Sequence, residues 1–326
     1  VESVRANKAS VTLKNSNILN NYASSQNGEA QGGAIYTEFD TVKIEANDGD
    51  AHLISGNYVK SGDTVDDNAI YAVDSKVIFD VTNGSTIQLD DNINGKNYET
   101  YIIGDDTSRF ILNNKIKNST THLIDTNLYL TKDSHLDGNN LGLHSGTLSM
   151  INNQVGVSAL NSLTVTGDTN VNVDVDLKNQ TMDRFTASEY GSHSGNLNVT
   201  GMNLLSDAVS DNTEILFAEQ GLKDNVTNGI TTELPDSKYQ STVYTPIYKY
   251  NVAYDNREDG GYFVFARSGG DNKVDTFNPA VLGSSTSATV LKAPAINVMT
   301  KGNDYQQEFD AVKEQYTTNF KSIFAS

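Results

Sequence analysis

Cysteine and tryptophan are absent from this 326-residue chain, proline occurs four times, and 23 Lys and Arg face 41 Asp and Glu. Without cysteine there are no disulfides, no thiolate metal sites and no thiol catalysis, and so long a cysteine-free chain fits a protein that must not cross-link during export. A formal net charge of -18 argues against a surface that tracks nucleic-acid phosphates, which needs clustered Lys and Arg, and against anionic membranes. No run approaches the roughly 18 apolar residues of a membrane helix. Val1 is followed by neither a basic segment nor the apolar stretch of an export signal. A chain that starts at Val1 in this way is expected to be a processed or truncated piece of a longer protein.

What is present is a series of short apolar clusters: Val11–Leu13, Val42–Ile44, Val77–Phe79, Phe110–Leu112, Leu128–Leu130 and Leu163–Val165. Asn, Asp, Gly or Ser bounds each, residues that tolerate turns and positive φ. Strict alternation runs through Val171, Val173, Val175 and Leu177, which gives one apolar and one polar face. Helical spacing is missing from residue 1 to about 265, so the pattern predicts an all-β body.

Two segments repeat. Ile18-Leu19-Asn20-Asn21-Tyr22 precedes Gly32-Gly33-Ala34-Ile35-Tyr36, and Ile54-Ser55-Gly56-Asn57-Tyr58 precedes Asn68-Ala69-Ile70-Tyr71. A period of about 35 residues marks stacked architectures. Read as two rungs of about 18 residues each, stacked about 4.8 Å apart, the unit predicts a right-handed parallel β-helix with one buried apolar column. At roughly 20 residues per rung the rod is expected to be some 50 to 60 Å long. Asn21 and Asn57 are the expected positions of an asparagine ladder, since stacked amides hydrogen-bond along the axis.

The Gly32-Gly33-Ala34-Ile35-Tyr36 motif, with Ile18-x-x-Asn21 and Ile54-x-x-Asn57, resembles the GGAI and FxxN repeats of polymorphic outer-membrane proteins and related autotransporter passengers. Ile replaces the Phe, and the second Gly-Gly has become Asp67-Asn68 ahead of Ala69, Ile70 and Tyr71. Ser85 to Gly95, Leu163 to Asn170 and Val173 to Asp183 are similar to late-passenger rungs of type V secreted adhesins. The resemblance implies a passenger of the pectate-lyase-like β-helix type, and here its C-terminal part.

Tyr244, Tyr248, Tyr250 and Tyr254 fall at even positions before a turn at Asn256 to Gly261, and Tyr262, Phe263 and Phe265 follow it. Alternating aromatics around Gly260 and Gly261 predict a β-hairpin that caps the last rung, each ring buried with its hydroxyl in water. The resemblance implies that such a cap acts as a folding core. Residues 268–302 have a linker composition. In 303–326, Tyr305, Phe309, Val312, Tyr316, Phe320 and Ile323 share one helical face. The expected order is a parallel β-helix over 1–235, a cap over 236–267, a linker over 268–302 and a short amphipathic helix over 303–326. In the family such a helix leads to a membrane β-barrel, which is absent from this sequence.

The search for chemistry yields little. His52, His122, His135, His144 and His193 show no zinc-enzyme spacing, and nucleophile turns are missing. No catalytic or cofactor-binding residue is assigned. Parallel β-helices host lyases and glycosidases that need clustered carboxylates with a basic residue, and Asp63/Asp66/Asp67, Asp90/Asp91, Asp105/Asp106 and Asp133/Asp137 are the clusters available, with Arg109 near one of them. Asp63, Asp66, Asp67, Asp90 and Asp91 are weak Ca²⁺ candidates, Ca²⁺ being the only cofactor considered. The expectation is a non-catalytic adhesin or stalk, at the bacterial outer-membrane surface or released outside the cell. Its partners would be a protein or glycan of a host or neighbouring cell and its own β-barrel in the precursor. A carbohydrate-active β-helix enzyme, or a surface filament or layer subunit that self-associates end to end, is the alternative.

Overall fold

The computed structural model describes residues 9–230, 241–245 and 248–267. The linker and helix expected over 268–326 lie outside the described residues. The chain winds through two long parallel sheets. Sheet I runs over eight strands from Ser10–Lys14 to Arg184–Tyr190, and sheet II ascends from Ile18–Leu19 to Val226–Asn228. A short third wall, sheet III, carries Ile35–Glu38, Ile70–Val73 and Ile93–Lys96 in parallel. The fold is a parallel β-helix.

The registers correct the expected rung length. Thr41 pairs with Lys76 on sheet I, and Ala51 with Thr86 and Ile18 with Ile54 on sheet II. A full 35- or 36-residue repeat therefore closes one coil, not two. Later coils are shorter, as the pairs Lys76 with Glu99 and Thr120 with Asn140 show. The surplus leaves the column as a lateral arm, a small sheet of Tyr22–Ser25, Tyr58–Ser61 and Thr64–Asp67. Sheet II has nine successive levels, so the coil rises about 40 Å at strand spacing, less than the expected 50 to 60 Å.

Alternation places every second side chain inside. Ile44, Phe79, Ile102, Leu123, Leu143 and Val165 stack in register on sheet I, and Ile87, Phe110, Leu128, Leu148, Val171 and Val199 on sheet II. All are buried, and the Phe79 and Phe110 rings meet across the interior at 4.8 Å. Sheet III adds Ile35, Ile70, Ile93 and Ile116. Each fully buried aliphatic or Phe side chain contributes about 1.5–3 kcal/mol, so the column is the main source of stability.

Turns between sheet III and sheet I recur at one place. Phe39, Asp74, Asn97 and Asn118 occupy equivalent corners with φ of 61°, 46°, 54° and 59°. Asp and Asn adopt this left-handed conformation at low cost, which explains their frequency at corners. Phe39 has no such excuse and stands exposed.

The cap is larger than a hairpin. Lys249–Asn256 and Gly261–Arg267 pair antiparallel about the expected turn, Ser241–Tyr244 joins one edge, and Asn212–Ala218 joins the other. The last of these strands lies within the 1–235 span, so coil and cap interleave: Val226–Asn228 returns to sheet II after it. Phe217, Tyr250, Phe263 and Phe265 are fully buried, with Phe217 and Phe263 edge to face at 5.5 Å. Two of the tyrosine hydroxyls, expected in water, bond the backbone instead. Tyr250 accepts from the Ala208 N–H at 3.0 Å and Tyr254 donates to the Lys223 carbonyl at 2.7 Å, which ties the cap to the chain entering it. Tyr248 lies under the Arg267 guanidinium and Tyr262 under that of Arg257, while Tyr244 is exposed. Gly260 lies against Leu216, and at Gly261 a Cβ would sit 1.8 Å from the Tyr254 hydroxyl, so Tyr254 crosses the hairpin only because Gly is there.

Candidate functional site

The predicted repeat residues converge on the corner where sheet II hands over to sheet III. Asn57 is fully buried and makes six hydrogen bonds. Its Oδ1 accepts from the Asn21 side chain at 2.8 Å and the Asn21 N–H at 3.0 Å. Its Nδ2 donates to the Ile18 carbonyl at 2.8 Å and to Asp91 Oδ2 at 2.6 Å, and its N–H also reaches Asp91. The ladder is Asn21, Asn57, Asp91: the third position is a carboxylate, which also accepts from the Gly56 N–H at 3.0 Å. Burial pushes the Asp91 carboxyl up, against the bonds from Asn57 and Gly56 that pull it down.

The arm emerges between the ladder and the Ala-Ile-Tyr motif. In the second coil it is the insert between Asn57 and Asn68, whose N–H donates back to the Asn57 carbonyl at 3.0 Å. In the first it separates Asn21 from Gly33, and in the third Asp91 and Asn92 are adjacent, so no arm forms. Gly33 fits this mouth because a Cβ there would meet the Tyr58 and Asn68 backbone at 2.6 Å, and Gly32 turns the chain at φ 64°. Ala34 and Ile35 donate to the Ala69 carbonyl, which locks the two motifs in step. Tyr22 stacks on Tyr58 at 5.5 Å and Tyr36 on Tyr71 at 6.1 Å, so both ladders end in exposed rings.

On the outer face of sheet I a second ladder crosses successive coils. Lys76 pairs with Glu99 at 3.0 Å and lies over the Tyr101 ring, whose hydroxyl donates to Glu99 at 2.7 Å. Tyr101 stacks on His122, whose Nδ1 is 2.9 Å from His144 Nε2, and His144 Nδ1 is 2.6 Å from Thr166 Oγ1. Burial and the neighbouring His144 hold His122 below the usual imidazole range. The two histidines are 22 residues apart, one coil, which is why linear spacing did not reveal the pair.

The acidic candidates do not assemble. Asp63 and Asp66 are exposed on the arm, and Asp67 lies near Asp91, whereas Asp90 Oδ1 accepts from Gln88 and Asn113. Asp105 is held by Ser108, Thr107 and the Asn83 N–H, and hydroxyl donors lower it to about 2. Arg109 does not join Asp105 or Asp106 and lies over Tyr129. Asp137 accepts from the Ala159 N–H, and Asp133 is exposed. Among the described residues no group of three His, Asp or Glu converges as metal ligands would. His52 pairs with Asp48 at 2.8 Å, His135 is 3.6 Å from Asp137, and His193 accepts from the Val165 N–H.

Two buried carboxylates went unnoticed in the sequence. Asp174 and Asp183 seal the turn at 152–156: Asp174 Oδ2 accepts from the Asn152 N–H at 2.7 Å, and Asp183 accepts from the Gly156 and Asp174 N–H groups at 2.7 Å. Burial raises Asp183 to about 7, opposed by those two N–H donors and reinforced by Asp174. Asp183 serves the backbone, and Asp174 also accepts from the Asn203 side chain.

No protein-family model matches this chain, and no curated protein matches it significantly.

Proposed function

We propose that this chain is the passenger of a type V autotransporter, a non-catalytic adhesin or stalk displayed at a Gram-negative-type cell surface or released from it. The observation that carries this reading is the capped parallel coil: a rod about 40 Å long, closed by an antiparallel sheet that seals the last level. A rod of this kind holds binding surfaces away from a membrane, and its repeating outer faces present many polar groups in register. The GGAI-like motif supports it, because Gly33 and the Ala-Ile-Tyr segments build the mouth of the arm.

The test is display. Fused to a signal peptide and an unrelated outer-membrane β-barrel, the chain is expected to reach the surface of a non-adherent Gram-negative host, resist external protease except at the arm, and make the cells adhere to epithelial or bacterial layers. Cells that display the folded rod and adhere no better than barrel-only cells would refute the adhesin; a chain that never passes the outer membrane would refute the passenger.

A further inference from the structure

Outward-facing residues of three successive coils on sheet II form a cleft of about 380 Å³, within the ~300–1,000 Å³ of small-ligand pockets. Arg109 and Ile111 come from one coil, Tyr129 and Lys132 from the next, Ile151 and Asn152 from a third. Ile111 and Tyr129 are register partners, and the Arg109 guanidinium lies 5.9 Å from the Tyr129 ring centre.

The charge of this cleft runs against the net charge of the molecule. The chain carries a net charge of -18, and two other clefts are rich in carboxylates: one is lined by Asp40, Asp74 and Glu99 with Lys76, another by Asp105, Asp106, Asp125 and Asp168, while a third, beside Arg184, has no carboxylate in its wall but its arginine is paired with Glu219. The Arg109 cleft has no carboxylate in its wall and two cations. Arg184, Arg257 and Arg267 each have an acidic partner within 4 Å, whereas Arg109, among the described arginines, has none, and Lys132 has none either. An arginine left unpaired on so acidic a protein, beside an aromatic ring and the half-exposed Ile151, is a combination that core packing does not require, since all these groups point outward.

We propose that the cleft binds a carboxylated pyranose. Arg109 presents a planar fork that matches a carboxylate bidentately, and Lys132 adds a second positive charge. The Tyr129 ring with Ile111 and Ile151 offers an apolar platform for the C–H face of the sugar, and Asn152, whose Oδ1 already accepts from the Gln154 N–H, offers its Nδ2 as a donor to the hydroxyls. A bare phosphate would use the cations and leave the platform idle; a neutral sugar would leave Arg109 unpaired. Long polyanions are repelled by the surrounding acidic surface, so a short or terminal acidic sugar fits best, at ionic strengths where a Debye length of about 8 Å confines that repulsion. The inference gives the adhesin reading a ligand class and rests on it for biological setting only, because binding is measured on the purified chain; failure of display and failure of binding are separate results.

The test uses tri-galacturonate and 3′-sialyllactose as probes, with galactotriose and lactose as neutral counterparts, in titration calorimetry and ligand-observed NMR. Either acidic probe should bind at least tenfold more tightly than its neutral counterpart, galacturonate marking an internal uronate and sialyllactose a terminal carboxylate. Arg109→Ala and Tyr129→Ala should each lower affinity about tenfold or more, and Arg109→Lys should keep the charge but lose the bidentate part. The variants should melt within a few degrees of the parent, since both side chains are outside the core. No binding of either acidic probe at about 10 mM, where a site with a Kd of about 1 mM would be nearly full, overturns the proposal. So does equal binding of the neutral sugars, or binding that survives Arg109→Ala.

Discussion

Single residues carry the joints of this fold, and Asn57 is the clearest case. Its amide satisfies the buried Asp91 and Ile18 carbonyl and the exposed Asn21. Asn57→Ala strands Asp91 and the Ile18 carbonyl without water, and the expected loss is about 3 kcal/mol in urea unfolding. Phe39 predicts the opposite sign. It holds φ 61° with its ring exposed, and Phe39→Asn should stabilise the chain by about 1 kcal/mol, because Asn adopts this conformation more readily. Asp183 sets a pH dependence. Its folded value of about 7 exceeds the ordinary 3.8, so the folded chain keeps a proton that the unfolded chain releases. The contribution is full below about pH 3.8 and is lost as pH rises to 7, at most about 4 kcal/mol. Unfolding midpoints at pH 4.5 and 7.5 should differ in the parent, and Asp183→Asn should remove that part of the slope. Asp105, lowered to about 2, acts with the opposite sign and only in more acid solution.

At the scale of elements, the arms are separable from the coil. The third coil joins Asp91 directly to Asn92, so a coil closes without an insert. Joining Asn21 to Gly33 and Asn57 to Asn68, with both arm segments deleted, should leave the far-ultraviolet spectrum of the coil and its cooperative unfolding intact. Loss of the parallel fold would show the arms to be part of the core. Strand positions, the apolar alternation and the hairpin turn were legible in the sequence, because inward side chains leave a period of two and Asn and Gly mark corners. The coil length was not legible. Period alone cannot separate two short rungs from one coil with an excursion, since Tyr58–Ser61 and Thr64–Asp67 have the same strand-like composition as the walls. The fourth cap strand was hidden for a similar reason: Asn212–Ala218 alternates like a coil strand, and only its partner Gly261–Arg267 makes it antiparallel.

Over the whole molecule, contacts between residues one coil apart decide what the sequence conceals. His122 with His144 and Arg109 with Tyr129 are each about one coil apart along the chain and adjacent in space. The candidate carboxylates, close in sequence, are dispersed, and several are engaged by neighbouring side chains or by an N–H of the adjacent coil. Net acidity and a continuous buried column describe an acidic rod with its apolar side chains inside. The proposed surface role is tested most directly by protease and antibody labelling of intact cells that make the protein, followed by mass analysis of the labelled fragments. Labelling of arm residues before permeabilisation, in a polypeptide attached to or shed from an outer-membrane β-barrel, is the predicted result. Labelling only after lysis would contradict the account.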